Sequence, residues 1–396
     1  MVERAFGKDS IEVRKKLTEG LIFAGFIVLH DPLRDDVKSS IAMAQKAGAR
    51  VIMATGDNPE TAKTIATECG IWREGDHVLK GTDVEGASDE ALAKVLKHTS
   101  VFARMLPEHK LRLARILSAQ GEIVAMTGDG VNDAPALRAA NIGVALGSGT
   151  EVAKEASDLI LLDNSFTIIV AAIEEGRRTL DNLRKIVAYL LSTSFTEIIV
   201  VAGALMIGIP LPLLPAQILW TNMLSEGFMN FAFAFEPKED DLMRRDPRVA
   251  GARTMLSRKF ITFVVLVGLC GGLTLLAFYV YLTQFASTGI EDARTLIFIA
   301  LTLGTTFIAF SLKDLRTPMY AINWFSNRYL LGSSAFAIFG LAIALHVPFL
   351  SSMLRLTQVD YLAYAPMFVV VVAVDLFLVE CLKYFSFERR KRGVVR

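Results

Sequence analysis

The stretch Thr127-Gly-Asp-Gly-Val-Asn-Asp-Ala-Pro-Ala-Leu137 holds the residue types and spacing most specific to chemistry in this 396-residue chain. Asp129 and Asp133 stand four residues apart, and Gly128 and Gly130 let the backbone turn sharply beside them. Such a turn suits a hard divalent cation that takes few carboxylates, keeps its waters and meets a substrate phosphate, and magnesium fits best. An Asx-rich turn with no ligand is the plainer reading. Eleven residues of this kind directly after the apolar run Ile123 to Met126 leave that reading a small share.

A second group lies within apolar sequence. Glu197 falls about three turns into the first long apolar stretch, and Asn222, Ser225 and Glu226 fall in the second, inside Leu219-Trp-Thr-Asn-Met-Leu-Ser-Glu-Gly227. Ionisable groups at membrane depth are costly and mark an ion path or a paired structural contact. Spacings of three and four put Asn222, Ser225 and Glu226 on one helical face, where they would line a cation site with oxygen. Thr305, in the fourth stretch, brings no carboxylate. Asp375, in the last, reads as a packed, protonated or hydrogen-bonded acid ahead of a transport ligand.

These residues need two kinds of scaffold. From Leu21 to Leu162 short apolar runs alternate with helical stretches, as in a parallel sheet with crossover helices. The runs are Leu21 to Leu29, Arg50 to Ala54, Val101 to Ala103, Ile123 to Met126, Ile142 to Ala145 and Leu159 to Leu162. Several end in Thr, Gly or Asp, at the carboxyl ends of strands where open α/β sheets bind ligands. From Phe166 to Gly208 there is no proline, which predicts one helix running from the soluble part into a bilayer. Five more stretches approach bilayer length: Leu213 to Phe235, Phe260 to Leu282, Leu296 to Leu312, Leu330 to Val347 and Met367 to Leu382.

Six spans agree with the charges between them. Lys238, Arg244, Arg245, Arg248, Arg253, Arg258 and Lys259, then Lys313, Arg316 and Arg328, then the tail Arg389 to Arg392 and Arg396 fall on one side, and little more than Arg355 on the other. Both ends are therefore expected in the cytoplasm, and the charged amino terminus shows no secretory signal. The expected divisions are 1–165 for a soluble α/β domain, 166–185 for a helical stalk, 186–385 for the membrane helices and 386–396 for a basic tail. A 53% hydrophobic composition and a mean hydropathy of +0.43 support a membrane part. A net charge of +1 gives no reason to expect a nucleic-acid partner. Cys69, Cys270 and Cys381 are far apart, form no CxxC pair and read as buried thiols.

The eleven-residue stretch resembles the hinge motif of the P-type ATPases, a branch of the haloacid dehalogenase-like fold. Asp31-Pro-Leu-Arg34 is similar to the family's DPPR, Thr55-Gly-Asp57 to its TGD, and Arg104 with Pro107 and Lys110 to its lysine loop. The likeness covers nearly the whole chain. It implies an α/β haloacid dehalogenase-like cytoplasmic domain and an all-α domain of six membrane helices, in a plasma-membrane cation pump driven by ATP with Mg2+. It implies that Asp129 ligates magnesium, with Asn132 and Asp133 supporting the metal and phosphoryl site. Thr55 and Gly56 would hold phosphoryl oxygens within the motif that Asp57 completes, and Lys110 would neutralise charge there. Asp31, Arg34 and Arg104 would belong to the nucleotide and phosphate side. Blander rivals are Thr55 as the cap of a helix from Pro59 to Cys69 and Lys110 as a solvated side chain.

In the membrane, Asn222 and Glu226 resemble the Asn and Asp of calcium pumps. Sodium- and proton-type relatives also place an acid near Glu197, so sodium, potassium and proton stay open beside calcium. Thr305 in place of a carboxylate favours one ion per cycle. The family's DKTGT, whose aspartate accepts the phosphoryl group, appears nowhere in these 396 residues, nor do a nucleotide-binding domain or the TGE of the actuator domain. The strand ending in that aspartate would lie between those ending at Thr55 and Thr127, so the sheet is expected to lack its centre. Either a separate amino-terminal half supplies these parts, or the chain is an inactive pseudo-pump subunit or a truncated product.

Overall fold

The computed structural model describes residues 20–22, 25, 33–163, 165–239, 241–245 and 256–387. Asp31, most of the Leu21 to Leu29 run, Arg248, Arg253 and the basic tail beyond 387 lie outside the described residues.

The amino-terminal region carries two three-stranded parallel sheets. In the first, β3 (Thr99–Ala103) lies between β1 (Met53–Ala54) and β2 (His77–Lys80), with Met53 opposite Val101 and Leu79 opposite Phe102. Val101, Phe102 and Ala103 are wholly buried, as a central parallel strand requires. In the second sheet, β5 (Ile142–Leu146) lies between β4 (Ala125–Gly128) and β6 (Leu159–Leu161), with Thr127 opposite Val144 and Ala145 opposite Ile160. The strand His77–Lys80 was not expected from sequence, because its four residues are half exposed and carry no apolar run.

Helices cover the first sheet. Helix α1 (Val37–Lys46) buries Ser40, Ile41 and Ala44, an i, i+1, i+4 stripe. Helix α2 (Pro59–Glu68) starts on Asn58, whose side chain accepts from the Glu60 amide, with proline in the first turn. Helix α3 (Pro107–Ala119) buries His109, Leu113 and Ile116, and it packs on the short α4 (Ala134–Ala139) of the second sheet.

Beyond residue 165 the described residues are mostly helical. The 41-residue α5 (Phe166–Met206) is roughly 60 Å long at 1.5 Å per residue. Next come α6 (Pro215–Trp220), a π-helical stretch Thr221–Glu226 and α7 (Gly227–Phe233), which together form the second expected span. Helices α8 (Arg258–Val280, continuing to Phe285), α9 (Ile290–Leu312), α10 (Arg328–His346) and α11 (Tyr361–Phe387) follow. Among the described residues, five helices are long and apolar enough to cross a membrane: α5, α8 with its extension, α9, α10 and α11. The interrupted segment 215–233 is helical throughout but in three short pieces.

Helix α9 is central, with 83% of its apolar window buried, whereas α11 turns Val369, Val370 and Phe377 outward. That apolar exterior belongs in lipid. Small residues bring α5 and α8 close. A Cβ on Gly268 would sit 2.4 Å from Phe195 Cβ, and one on Gly272 would sit 2.6 Å from Ile199 Cβ. Of the three thiols only Cys69 is buried; Cys270 and Cys381 lie on flanks of α8 and α11 and are partly exposed.

Candidate functional site

The carboxyl ends of β1, β3 and β4 carry the candidates of the α/β region. Thr55 follows β1, its amide bonded to the Phe102 carbonyl of β3, and its hydroxyl donates to Asp57 Oδ2 at 2.7 Å while accepting from the Asp57 amide at 3.1 Å. Gly56 and Asp57 are exposed. Arg104, at a φ of 53°, turns the chain after β3, and the Arg104 and Met105 amides bond back to the Asp57 and Thr55 carbonyls. The Thr55-Gly-Asp57 turn and the Arg104 turn thus form one rim. Asn58, not Thr55, caps α2, so the capping rival for Thr55 does not hold.

Lys110, in the first turn of α3, reaches the second sheet. Its Nζ lies 2.7 Å from Asp133 Oδ1, with side chains 18% and 11% exposed. Asp133 Oδ2 accepts from the Gly130 amide at 3.4 Å. A Cβ on Gly128 would fall 2.5 Å from Asp133 Cβ, so glycine is required there for the loop to fold over the strand end. Asp129 is exposed, and its carbonyl accepts from the Thr150 amide. Asn132 is exposed as well. Lys110 is a paired side chain and not a solvated one.

Among the described residues no three His, Cys, Asp or Glu side chains gather as a metal cage. With Asp133 engaged by Lys110, Asp129 is the carboxylate of this loop free to meet an ion. That donor set fits a magnesium ion that keeps most of its waters and is completed by a phosphate. Arg34 donates to the Asp163 carbonyl at 3.5 Å, away from this rim. Asp36 instead fastens α1 to the start of α5 by accepting from Ser165 and Thr167. Those two hydroxyls hold its carboxyl below the usual carboxylate range.

The membrane candidates meet between α5 and the interrupted segment in two crossed pairs. Thr193 Oγ1 donates to Glu226 Oε2 at 2.7 Å, and Asn222 Nδ2 donates to Glu197 Oε2 at 3.3 Å. Thr193 and Glu197 are four apart on α5, as are Asn222 and Glu226 on the facing segment. Ser225 is buried beside Glu226, whereas Asn222 is exposed. Glu197 Oε1 and Glu226 Oε1 are both buried without a hydrogen-bond partner in the protein, as is Asn230 Oδ1. The segment Thr221–Glu226 is a π-helix, so the facing set rests on a widened turn that the three-and-four spacing did not indicate. Thr193 was also missed; its place one turn before Glu197 was the available signal.

A further polar layer, absent from the sequence reading, lies toward the soluble region. Lys185 pairs with Glu239 at 2.9 Å and Asp181 at 3.3 Å, and Arg245 with Asp181 at 3.0 Å, with Asp241 at 2.6 Å and with Glu239. Arg177 donates to the Ala47 carbonyl at 2.5 Å, to that of Leu242 at 3.2 Å and to that of Arg245 at 3.3 Å, linking the end of α1 to the loop before α8.

Residues 210–385 match the family model "Cation transporting ATPase, C-terminus", and residues 4–141 and 111–173 match two models of haloacid dehalogenase-like hydrolases. The chain is 38% identical over 333 residues to calcium-transporting ATPase 1 of Bacillus cereus, covering 80% of this chain and 37% of the relative. It is 38% identical over 330 residues to the calcium-transporting ATPase of Bacillus subtilis, covering 83% and 37%. It is 38% identical over 363 residues to the probable cation-transporting ATPase F of Mycobacterium tuberculosis, covering 90% and 40%. The chain therefore spans about two fifths of the length of these relatives. Matches to both a haloacid dehalogenase-like region and a pump carboxyl terminus, in that order along one chain, place it in the family of P-type cation-transporting ATPases, as a carboxyl-terminal portion.

Proposed function

We propose that this chain is the ion-binding part of a pump that couples ATP hydrolysis, through an aspartyl-phosphate on a segment outside these 396 residues, to movement of one cation per cycle, calcium by preference. The observation that carries this reading is the pair of unpartnered buried oxygens, Glu197 Oε1 and Glu226 Oε1, within the crossed pairs. Asn222 and Ser225 add neutral oxygens to the same set. A hard cation would satisfy all four, and protons would compete for the same carboxylates.

At the other end, Thr55, Gly56 and Asp57 would receive the transferring phosphoryl group. Lys110 would turn from Asp133 toward its charge, and Asn132 and Asp133 would hold the loop that presents Asp129. Magnesium, held by Asp129, would supply charge neutralisation. Arg104 and Arg34, with Asp31, are assigned to the nucleotide and phosphate side. The Lys110–Asp133 bridge supports this reading, because it joins the ends of the two sheets where such a group would sit. Six spans with both ends in the cytoplasm, in the plasma membrane, complete the proposal. They rest on the positive loops and on the divisions 1–165, 166–185, 186–385 and 386–396.

Equilibrium binding of radiolabelled calcium to the chain in lipid nanodiscs tests the ion site. Glu226→Gln and Glu197→Gln should each weaken binding about tenfold or more, which is 1.4 kcal/mol or more. Calcium held equally by the double variant would overturn the assignment, and displacement of calcium by sodium or potassium at equal concentration would replace calcium with that ion.

A further inference from the structure

Asp375, in the middle of α11, is 7% exposed, and its Oδ1 is buried with no hydrogen-bond donor from the protein. The nearest cation along its helix, Lys383, is taken up by Glu380 at 2.8 Å and by the Ser311 carbonyl at 2.8 Å. From α8, Gly271 lines the space beside this carboxyl, directly after Cys270 in the chain. From α5 the Thr196 hydroxyl lies beside Asp375 at Gly271, and Thr305 of α9 lines the same space. Glu197, next to Thr196 on α5, is directed to Asn222.

These groups enclose a cavity of about 10 Å³ lined by Asp375, Thr196, Gly271, Thr274, Gly304 and Thr305. A space of that size holds one water. Two oxygens are directed at one point in it. A Cβ placed on Gly271 would lie 2.8 Å from Thr196 Oγ1 and 3.5 Å from Asp375 Oδ1, so the glycine keeps this space open. The Thr196 hydroxyl spends its hydrogen on the Ser192 carbonyl at 3.0 Å and the Gly268 carbonyl at 3.3 Å, and Thr305 spends its own on the Thr302 carbonyl at 3.3 Å. The Thr196 hydroxyl therefore offers lone pairs to this space. An occupant must bring hydrogens. A divalent cation needs about six or more oxygens and more room than one water occupies.

We propose that Asp375 is a second protonatable site of the membrane region, separate from the Glu197 and Glu226 pair, which holds one proton and one water between α5, α8, α9 and α11. The protonated carboxyl donates to the water or to a threonine oxygen, and the water's hydrogens meet the remaining lone pairs. Because it shares no residue with the cation set, its proton does not compete with the transported ion. The inference therefore stands or falls apart from the identity of that ion.

Infrared spectroscopy of the full chain in nanodiscs at pH 7 reads the carbonyl band of protonated carboxyls directly. In a Glu197→Gln/Glu226→Gln background, adding Asp375→Asn should remove one carboxyl's share of that band. The lost component should be one that shifts in D2O, as a water-contacted acid requires. In the wild type, calcium or sodium should leave this component in place. A second variant, Thr196→Val, keeps the shape and removes one lone-pair donor, and should move the component to higher frequency even if Asp375→Asn fails to fold. A band unchanged by Asp375→Asn in a folded protein, a component unmoved by D2O or by Thr196→Val, or its loss on adding calcium or sodium would each overturn the proposal.

Discussion

Lys110 lies on α3, which covers the first sheet, and Asp133 in the loop after β4 of the second, and their 2.7 Å contact ties the two together. Both side chains are mostly but not fully buried, so removing one partner leaves a charge only partly relieved by water. Lys110→Met should cost about 1–2 kcal/mol, between the range for exposed pairs and that for fully buried ones. Asp133→Asn should cost a similar amount. The double variant should cost less than the sum, because the second change removes the stranded charge. Urea denaturation followed by fluorescence checks this; strict additivity would mean that the two groups do not feel each other. The role of Lys110 was legible in sequence only as a choice between a phosphoryl partner and a solvated lysine. Its partner lies 23 residues away in the loop after β4, and spacing within one motif cannot disclose it. Asp375 was legible as an intramembrane acid, whereas the threonines around it come from three other helices.

Helix α5 is the element shared by the soluble region, the polar layer and the cation set. Its length was readable from a proline-free stretch, and the observed end at Met206 falls two residues short of the expected Gly208. The π-helix at Thr221–Glu226 was not readable, because widening by one residue per turn leaves composition unchanged and alters only which residues share a face. Strand His77–Lys80 was hidden for another reason: it lies at the edge of its sheet, where burial imposes little pattern. On α5, Arg177 reaches carbonyls of Ala47, Leu242 and Arg245 at once. Hydrogen bonds from a charged donor contribute about 1.5–3 kcal/mol. Arg177→Ala should therefore raise amide hydrogen exchange roughly tenfold or more, both at the end of α1 and in residues 242–245. Faster exchange in one of these segments alone would show that α5 does not couple them.

Across the whole molecule, the soluble region was expected as one sheet with a missing centre, and it is two sheets, β1-β3-β2 and β4-β5-β6. The edges at β1 and β4 stay apart, which is costly wherever it buries unpaired backbone groups. The structure shows why it is tolerated. Met53, Ala54 and Met126 are half exposed, Ala125 and Thr127 are exposed and Ile123 is 65% exposed, so these edges reach water. Sequence order and strand ends were legible, but the relation between sheets depends on long-range closure that no local pattern records. What remains is a pair of open parallel edges, with Ile123 uncovered beside β4, which is a template for another strand. A parallel segment ending in Asp-Lys-Thr-Gly-Thr, as the family resemblance implies, would pair on both edges and bring its aspartate to the rim of Thr55, Lys110 and Asp129. Supplied as a peptide at about a hundredfold excess over its Kd, it should stabilise the soluble region by about 2.7 kcal/mol. That corresponds to a rise of roughly 5–10 °C in melting midpoint for a region of this size. Thermal melts of the full chain in nanodiscs, with this peptide and with a scrambled one, make the comparison. A cooperative transition that neither peptide moves would mean that the two sheets accept no strand between them, and that β1 and β4 are finished edges.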